Sequence, residues 1–530
     1  MRKPSTMRGR MPRRKSSPPT EGVEIVGDGR VTVATVAHIA RGETKIELSA
    51  AARRRVRAER AVVDRAVAAG EPVYGLTTGL GAAVDTRLPP EDVTEFQTRA
   101  LRARSVAVGP PLPRDSVRAA AFARIAGMAA GGSGVSLPVL ESLVALLNAR
   151  IHPIIPCIGS IGAADLAPLA HLASALIGEG EAEFHGRAMP AGQALRAAGL
   201  RPVALGPKDG LALINSNALS VGSGALVLHD AGGILRALDV AAALALEGFR
   251  GNLSPLDPRA QRARPAPGQA AAAERLSDLL VRSELWKPTT PRRVQDPLSF
   301  RCIPPVHGAA LDALDLATEA IETELNGSGD NPLVLPEEGR IISTGNFDVT
   351  ALALRVEHLS LALAQAAALS GERSLKLLAP RFSDLPRFLT PRGGTRTGFA
   401  AVQKTIAALE VEIHHLSLPV SLGLRGVADG VEDHASLLPQ IVAKLRAMLD
   451  RLPYLVAIEL VIAAQALDLR PARLGPPMRQ AYGAVRALVP ALDEDRALGP
   501  EIERVAAEIA AGTLTPEPDS PRRRPRSRGQ

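Results

Sequence analysis

The chain has 530 residues, and its 63 Lys and Arg against 55 Asp and Glu give a formal net charge of +8 at pH 7. Its apolar content of 46% can supply a large core, while an aromatic content of 2% disfavours a protein that stacks single-stranded nucleic acid on aromatic side chains. The two cysteines, Cys157 and Cys302, lie far apart, which argues against a disulfide framework and a Cys-rich zinc site. We therefore expect a cytoplasmic protein, and the polar interruptions in its apolar runs predict no membrane span.

The positive charge is concentrated at the two ends. Residues 1–20 contain seven Lys and Arg and no acid, and residues 516–530 contain five Arg and two acids. We predict disordered basic tails over these two ranges. Because the body between them is near neutral, nucleic acid is not an expected partner. Within the body we distinguish an N-terminal, mostly helical part over 21–205 and a helical bundle over 206–515.

Helical periodicity dominates the body. Ala and Leu recur at three- and four-residue spacing over 119–128, 138–151 and 349–369, which predicts packed helices there. Short strands are predicted only within 22–34 and 339–343. The polar and Ala-rich stretch 257–273 is expected to form a flexible loop. The pattern predicts a mainly α fold, an elongated bundle of long helices.

Five segments, four of which contain Gly, Asn or both, interrupt the helical pattern, and a site is most easily built at such interruptions. They are 73–81 (VYGLTTGLG), 159–169 (GSIGAADLAPL), 206–217 (GPKDGLALINSN), 294–302 (VQDPLSFRC) and 325–332 (LNGSGDNP), the last leading to 343–347 (STGNF).

Several of these residues allow both a functional and a structural interpretation. Tyr74 in its Gly-flanked loop could act as a general base or could simply pack at a turn. Asp165 is explained as a helix N-cap, and Arg301 could clamp a carboxylate or form a structural ion pair. The triplet 432–434 (Glu-Asp-His) resembles an acid/base pair with a partner, although it lacks the spacing of a metal site. No metal site is predicted, and the Gly-rich segments do not have phosphate-binding spacing.

Taken together and in order, these segments resemble the histidine and aromatic amino-acid ammonia-lyase family. That family carries Tyr-Gly-x-x-Thr-Gly-x-Gly, Gly-Ser-x-Gly-Ala-Ser-Gly-Asp-Leu-Ala-Pro-Leu, Gly-x-Lys-Glu-Gly-Leu-Ala-Leu-x-Asn, Gln-Asp-x-Tyr-Ser-x-Arg-Cys and Asp-Asn-Pro in the same sequence. The match extends from about Val73 to His434. The resemblance implies an ammonia-lyase-like helical fold and a homotetramer in which more than one chain lines each pocket.

The resemblance fails at the residues that make the family's electrophile. In the family, Ala-Ser-Gly cyclises and loses two waters to give a methylidene-imidazolone group. Here Ala163-Ala164 stands before Asp165 where those three residues should be, so the serine hydroxyl is missing and one residue is deleted. We therefore predict that this prosthetic group is absent and expect no other cofactor. Leu298 also replaces a second tyrosine, and the histidine of histidine lyases is replaced near Arg104-Ser105.

The other pocket residues of the family are retained. By resemblance, Tyr74 and Glu432 are the catalytic residues, whereas Asn215, Gln295, Arg301 and Phe347 contact the substrate or the prosthetic group. These residues predict a carbon–nitrogen lyase-like enzyme that acts on an amino acid or a similar small molecule without the electrophile. Two alternatives stay open: a genuine histidine or aromatic amino-acid ammonia-lyase with an unexpected electrophile, and a catalytically inactive scaffold that binds a partner.

Overall fold

The computed structural model describes residues 23–423 and 426–514. The basic tails predicted over 1–20 and 516–530 lie outside the described residues.

Over the described residues 23–205, the N-terminal part has seven α-helices with short strands between them. The helices are Val33–Arg41 (α1), Ala50–Ala68 (α2), Val93–Arg104 (α3), Arg114–Ala130 (α4), Leu137–Asn148 (α5), Leu166–Leu176 (α6) and Ala191–Ala197 (α7). The strands are Val23–Val26 (β1), Lys45–Leu48 (β2), Val108–Pro111 (β3), His152–Pro153 (β4), Pro156–Ile158 (β5), Glu181–Phe184 (β6) and Arg187–Pro190 (β7). They form a parallel pair β1–β2, an antiparallel pair β3–β5 and an antiparallel sheet in the order β4–β6–β7.

The second part is a helical bundle. Its helices are Asp209–Ile214 (α8), Ala218–Phe249 (α9), Pro258–Ala263 (α10), Pro267–Leu279 (α11), Leu298–Arg301 (α12), Ile303–Asn326 (α13), Thr350–Leu378 (α14), Pro380–Ser383 (α15), Val402–Ser417 (α16), Leu438–Leu449 (α17), Leu452–Leu469 (α18), Pro476–Leu488 (α19) and Gly499–Ala511 (α20). One antiparallel hairpin, Leu333–Leu335 (β8) with Arg340–Ile342 (β9), lies between α13 and α14.

Helix α9 is the centre of the core. It packs against α4, α13, α14, α17 and α18, and it is apolar on nearly every side because it has helices all around it. Gly222 allows α9 to approach α4 closely, since a Cβ there would lie 2.5 Å from the Ala119 carbonyl carbon of α4. In α18, Glu459 is fully buried and forms an ion pair with the equally buried Arg373 of α14, with 2.5 Å between Oε1 and Nε. That partner explains how an acid is accommodated inside an otherwise apolar helix.

Three helical stretches are long and apolar enough, by length and composition alone, to cross a membrane. They are Asp209–Phe249, Thr350–Leu378 and Leu438–Leu469, and 94%, 56% and 83% of their most apolar windows are buried inside the fold. Their apolar character is accounted for largely by packing within the bundle.

Most of the predicted elements are present with shifted ends. The three periodic stretches lie in α4, α5 and α14, and the two predicted strand regions contain β1 and β9. The prediction of a flexible loop over 257–273 is wrong, because this stretch forms α10 and the start of α11. Asp257 caps α10 by accepting a hydrogen bond from the Arg259 amide, and Pro258 and Pro267 occupy first helical turns, where no amide donor is needed.

Candidate active site

A cavity of about 750 Å³ lies where four of the five segments that interrupt the helical pattern come together. It is lined by Tyr74 after α2, Ala163 before α6, Asn215 after α8, and Asn331 and Phe347 on either side of the β8–β9 hairpin. Residues 431–434, ahead of α17, close another side. The structure thus brings together Tyr74, Ala163, Asn215, Phe347 and Glu432 from distant parts of the sequence.

Tyr74 is held in a tight turn at the edge of the cavity. The amides of Leu76 and Thr77 both donate to the Val73 carbonyl, and the Gly81 amide donates to the Tyr74 hydroxyl oxygen at 3.0 Å. Gly75 has a φ of +64°, and a Cβ at this position would lie within 2.7 Å of both Leu80 and Leu211. The turn therefore requires glycine, and the Gly81 amide is placed to stabilise negative charge on the phenol oxygen.

The segment before α6 is fixed by close contacts on both sides. Ala163 forms a β-bridge with Asp348, and Ala164 is buried in the left-handed region at φ +62°. Gly162 also has a positive φ, and a Cβ there would collide with Ser436. Since Ala costs more than Gly in this backbone region, Ala164 is held against its own conformational preference.

Asp165 occupies the N-cap position of α6, as predicted, but its carboxylate does not serve as the cap. It is fully buried and accepts hydrogen bonds from the Ser160 hydroxyl at 2.7 Å, the Ser220 amide at 2.8 Å and the Ser220 hydroxyl at 2.9 Å. Burial raises the pKa of Asp165, while these hydrogen bonds act in the opposite direction. The side chain therefore fastens the segment to α9 instead of to its own helix.

The opposite wall is held by two asparagines. Asn215 donates to the Asn331 carbonyl at 2.6 Å, and Asn217 donates to the Phe347 carbonyl. The Asn331 side chain in turn accepts from the Thr344 amide at 2.9 Å. These bonds tie the end of α8 to both sides of the β8–β9 hairpin, so this wall is preorganised.

A buried ionic layer, which the sequence analysis did not identify, lies behind that wall. Arg124 of α4 pairs with Asp330 at 2.8 Å, and both side chains are 2% exposed. Lys208 is fully buried and donates to the Ser133 carbonyl at 2.5 Å; burial lowers its pKa to about 8. Glu59 accepts from the Gly132 and Gly134 amides nearby. The sequence gives one signal for this layer: Lys208 and Asp330 lie within two of the segments that interrupt the helical pattern, 206–217 and 325–332.

The cavity carries both signs of charge. Glu432 lines it beside Asp433 and His434, and the His434 Nε2 atom lies 3.1 Å from an Asp348 carboxylate oxygen. Among the described residues, Arg104, the last residue of α3, is the one arginine in the lining. Burial lowers the pKa of Arg104, whereas the nearby Tyr74 and Glu432 act to raise it.

Two predicted substrate-binding residues lie elsewhere. Arg301, at the end of α12, donates to the Gln295 side-chain oxygen at 2.9 Å, and neither residue lines this cavity. Leu298 is 61% exposed and Val294 92% exposed in the same segment. Within residues 23–423 and 426–514, no group of three or more His, Cys, Asp or Glu side chains is arranged to hold a metal ion.

The comparisons with known proteins agree with this architecture. The family described as aromatic amino acid lyase matches residues 31–487. Histidine ammonia-lyase from Anaeromyxobacter sp. (strain K) is 41% identical over 496 residues, which are 91% of this chain and 98% of that protein.

Solved structures are similar over nearly the whole length. Ergothionase from Treponema denticola, described as an ergothioneine-degrading enzyme in complex with desmethyl-ergothioneine sulfonic acid, has a TM-score of 0.89 at 34% identity and covers 93% of this chain and 99% of its own. Histidine ammonia-lyase from Trypanosoma cruzi has a TM-score of 0.85 at 33% identity, with 93% and 94% covered. These similarities confirm the predicted mainly helical, ammonia-lyase-like fold. The chain belongs to the aromatic amino acid lyase family.

Proposed function

We propose that the protein eliminates a tertiary amine from a trimethylammonium betaine of a histidine-type amino acid, without a methylidene-imidazolone group. The observation that carries this proposal is Ala163-Ala164, which stands where the family's cyclising tripeptide would be. Without an electrophile, the substrate itself must supply the better leaving group.

The residues at this position do not fit the prosthetic group. Its formation removes a serine hydroxyl as water and needs a glycine amide that can approach a carbonyl closely. Between Gly162 and Asp165 there is neither a hydroxyl nor a glycine. The next amide along, that of Asp165, donates to the Ser216 carbonyl at 2.7 Å, and the Asp165 side chain is fully engaged with Ser160 and Ser220. No step of the proposed reaction passes through such a group.

A quaternary ammonium substrate meets this chemical requirement. A trimethylammonium group leaves as neutral trimethylamine and takes the electron pair of the breaking Cα–N bond with it. The Tyr74 phenolate removes a proton from Cβ, and the electrons of that C–H bond form the Cα=Cβ double bond. The products are trimethylamine and an α,β-unsaturated carboxylate, and the Tyr74 proton is then released to solvent. The step balances without an oxidant or a co-reactant.

The surroundings of Tyr74 support its role as the base. The Gly81 amide donates to its oxygen, and the Arg104 cation also lies in the cavity. Glu432, on the same cavity, is placed to accept a hydrogen bond from a ring N–H of the substrate. The similarity to an ergothioneine-degrading enzyme points to the substrate class, because ergothioneine is the trimethylammonium betaine of 2-thiohistidine.

We further propose a cytoplasmic homotetramer in which Arg301 and Gln295 serve the cavity of a neighbouring copy. Two observations support this arrangement. Both residues lie outside their own chain's cavity, and the exposed Val294 and Leu298 beside them form an apolar surface that association would cover. Arg301 would then bind the substrate carboxylate through paired hydrogen bonds.

A second candidate function is ordinary histidine deamination with an unexpected electrophile. The identity of 41% to a histidine ammonia-lyase over nearly the whole chain favours it. It requires a modification of residues 163–165 that the encoded residues do not themselves provide.

A substrate panel separates the two functions. The purified protein is given ergothioneine, the trimethylammonium betaine of histidine, and free histidine, phenylalanine and tyrosine. Product is followed by ultraviolet absorbance, and trimethylamine and ammonia are measured separately. We expect trimethylamine from a betaine and no ammonia from the free amino acids. Ammonia from histidine alone would replace the proposal with the second function, and no product from any compound would favour an inactive scaffold.

A further inference from the structure

Arg104 ends α3 as a charged residue in the cavity, with a carboxylate in the same lining but no ion pair in the described chain. Its Nη1 atom donates to the Ala100 carbonyl of its own helix at 3.3 Å, and it forms no ion pair with any residue that the structure describes. By contrast, Arg102, two residues earlier on α3, binds Glu179 at 2.6 Å. A partly buried guanidinium whose donors are largely unused is costly unless a ligand supplies a hydrogen-bond acceptor.

Arg104 shares its part of the cavity with Glu432. Both residues line the same space as Tyr74, and both Tyr74 and Glu432 act electrostatically on the Arg104 guanidinium. Arginine offers only donors, and an ionised glutamate offers only acceptors. This part of the cavity is therefore complementary to a group that carries an electron-rich acceptor next to an N–H donor.

We propose that Arg104 is the specificity-determining residue that binds the sulfur of a 2-thioimidazole ring, while Glu432 accepts the adjacent ring N–H. This inference rests on the proposed function and names the side chain that the site selects. A 2-thioimidazole has this arrangement, because its exocyclic sulfur carries partial negative charge and is flanked by ring N–H groups. An imidazole has no atom at this position, so an imidazole substrate would leave the Arg104 guanidinium without its acceptor.

Two substrates that differ only in the sulfur test the proposal. Ergothioneine and the trimethylammonium betaine of histidine are compared by kcat/KM with the wild type, R104M, R104K and the control variant R102M. Arg102 is on the same helix, but it is exposed and lies outside the cavity lining. Loss of a charged hydrogen bond to the substrate should lower the ergothioneine-to-histidine-betaine ratio at least about tenfold in R104M. R104K should retain part of the preference, and R102M should keep the wild-type ratio.

The ratio of kcat/KM for the two betaines in each variant shows whether the role of Arg104 or the proposed function itself is wrong. If R104M slows both betaines equally, Arg104 supports Tyr74 or the fold and the sulfur-binding role is refuted. If neither betaine is turned over by any variant, the proposed function fails. The binding of the two betaines, measured by calorimetry with wild type and R104K, then decides the role of Arg104. A wild-type preference for the sulfur compound that weakens in R104K supports the inference, and equal affinities overturn it.

Discussion

The wall of the cavity and the segment that carries Arg301 are built in opposite ways. The wall, formed by the end of α8 and the β8–β9 hairpin, is fastened by asparagine hydrogen bonds and backed by the buried Arg124–Asp330 pair. The segment 294–302 has polar groups suited to a substrate, exposed apolar neighbours and no cavity of its own. The difference is consistent with the proposal that a single chain completes one half of the site and that the other half is completed by assembly.

The largest expected effect is on the half that one chain completes. Replacing Tyr74 by Phe removes the proposed base and keeps the ring, so kcat/KM for the betaine should fall about 10²- to 10⁴-fold. The affinity for the substrate should change only slightly, which calorimetry can check. A Tyr74→Phe protein with unchanged kcat/KM would remove Tyr74 from the mechanism.

The buried layer behind the wall should contribute strongly to stability. Asp330→Asn leaves the 2%-exposed Arg124 without its counter-charge, and breaking such a buried pair costs about 3–5 kcal/mol in the free energy of unfolding. Denaturant unfolding measures the loss. Arg99→Met, which breaks an exposed pair with Glu95, is the matched control and should cost less than about 1 kcal/mol. Equal losses in the two variants would argue against the structural role of the buried layer.

The dependence on assembly can be tested by mixing two impaired chains. Arg301→Met should lower kcat/KM about 10- to 100-fold, because a charged hydrogen bond to the carboxylate is lost. If Arg301 serves a neighbouring copy, co-expressed Tyr74→Phe and Arg301→Met chains form some sites with both wild-type residues, and activity returns above that of either variant alone. Absence of any recovery in verified mixed oligomers would place Arg301 and Tyr74 in sites formed by the same chain.

Lys208 contributes a further expected effect, a dependence of stability on pH that is confined to alkaline solution. Its pKa is about 8 in the folded protein against 10.5 for the free side chain, so between these values the unfolded chain holds a proton that the folded chain has lost. The penalty of burying the cation is complete below about pH 8 and is relieved as the pH rises toward 10.5. The stability of the wild type relative to Lys208→Met should therefore rise over this range, by at most about 3 kcal/mol. A flat difference would mean that Lys208 titrates normally.

The long helices could be predicted from the sequence because their periodicity is strong. The stretch 349–369 lies within Thr350–Leu378, whereas short strands such as Lys45–Leu48 have too few residues to give a signal. The stretch 257–273 forms helices instead of the predicted loop, because two of its prolines lie in the first turns of α10 and α11, where they do not break a helix. Gly268 there lies against the backbone of Gly308, a contact that no local pattern reveals.

The sequence predicts only some residues of the candidate site, and the reasons differ from residue to residue. Ordered motifs identified Tyr74, Asn215, Phe347 and Glu432, which the structure brings to one cavity. Arg104 stands out in the sequence only as a departure from the family pattern, because the fold is what brings it into the same cavity lining as Glu432. Arg301 lies outside its own chain's cavity, so its substrate-binding role, carried only by the family resemblance, rests on the proposed association with a neighbouring copy.

The intact mass of the denatured, catalytically active protein tests the central claim most directly. We expect preparations that release trimethylamine from the betaine to have the mass of the encoded chain, with no loss of water. An active protein whose mass is lower by two waters, with the loss located at residues 163–165, would contradict the account and restore the family's electrophile.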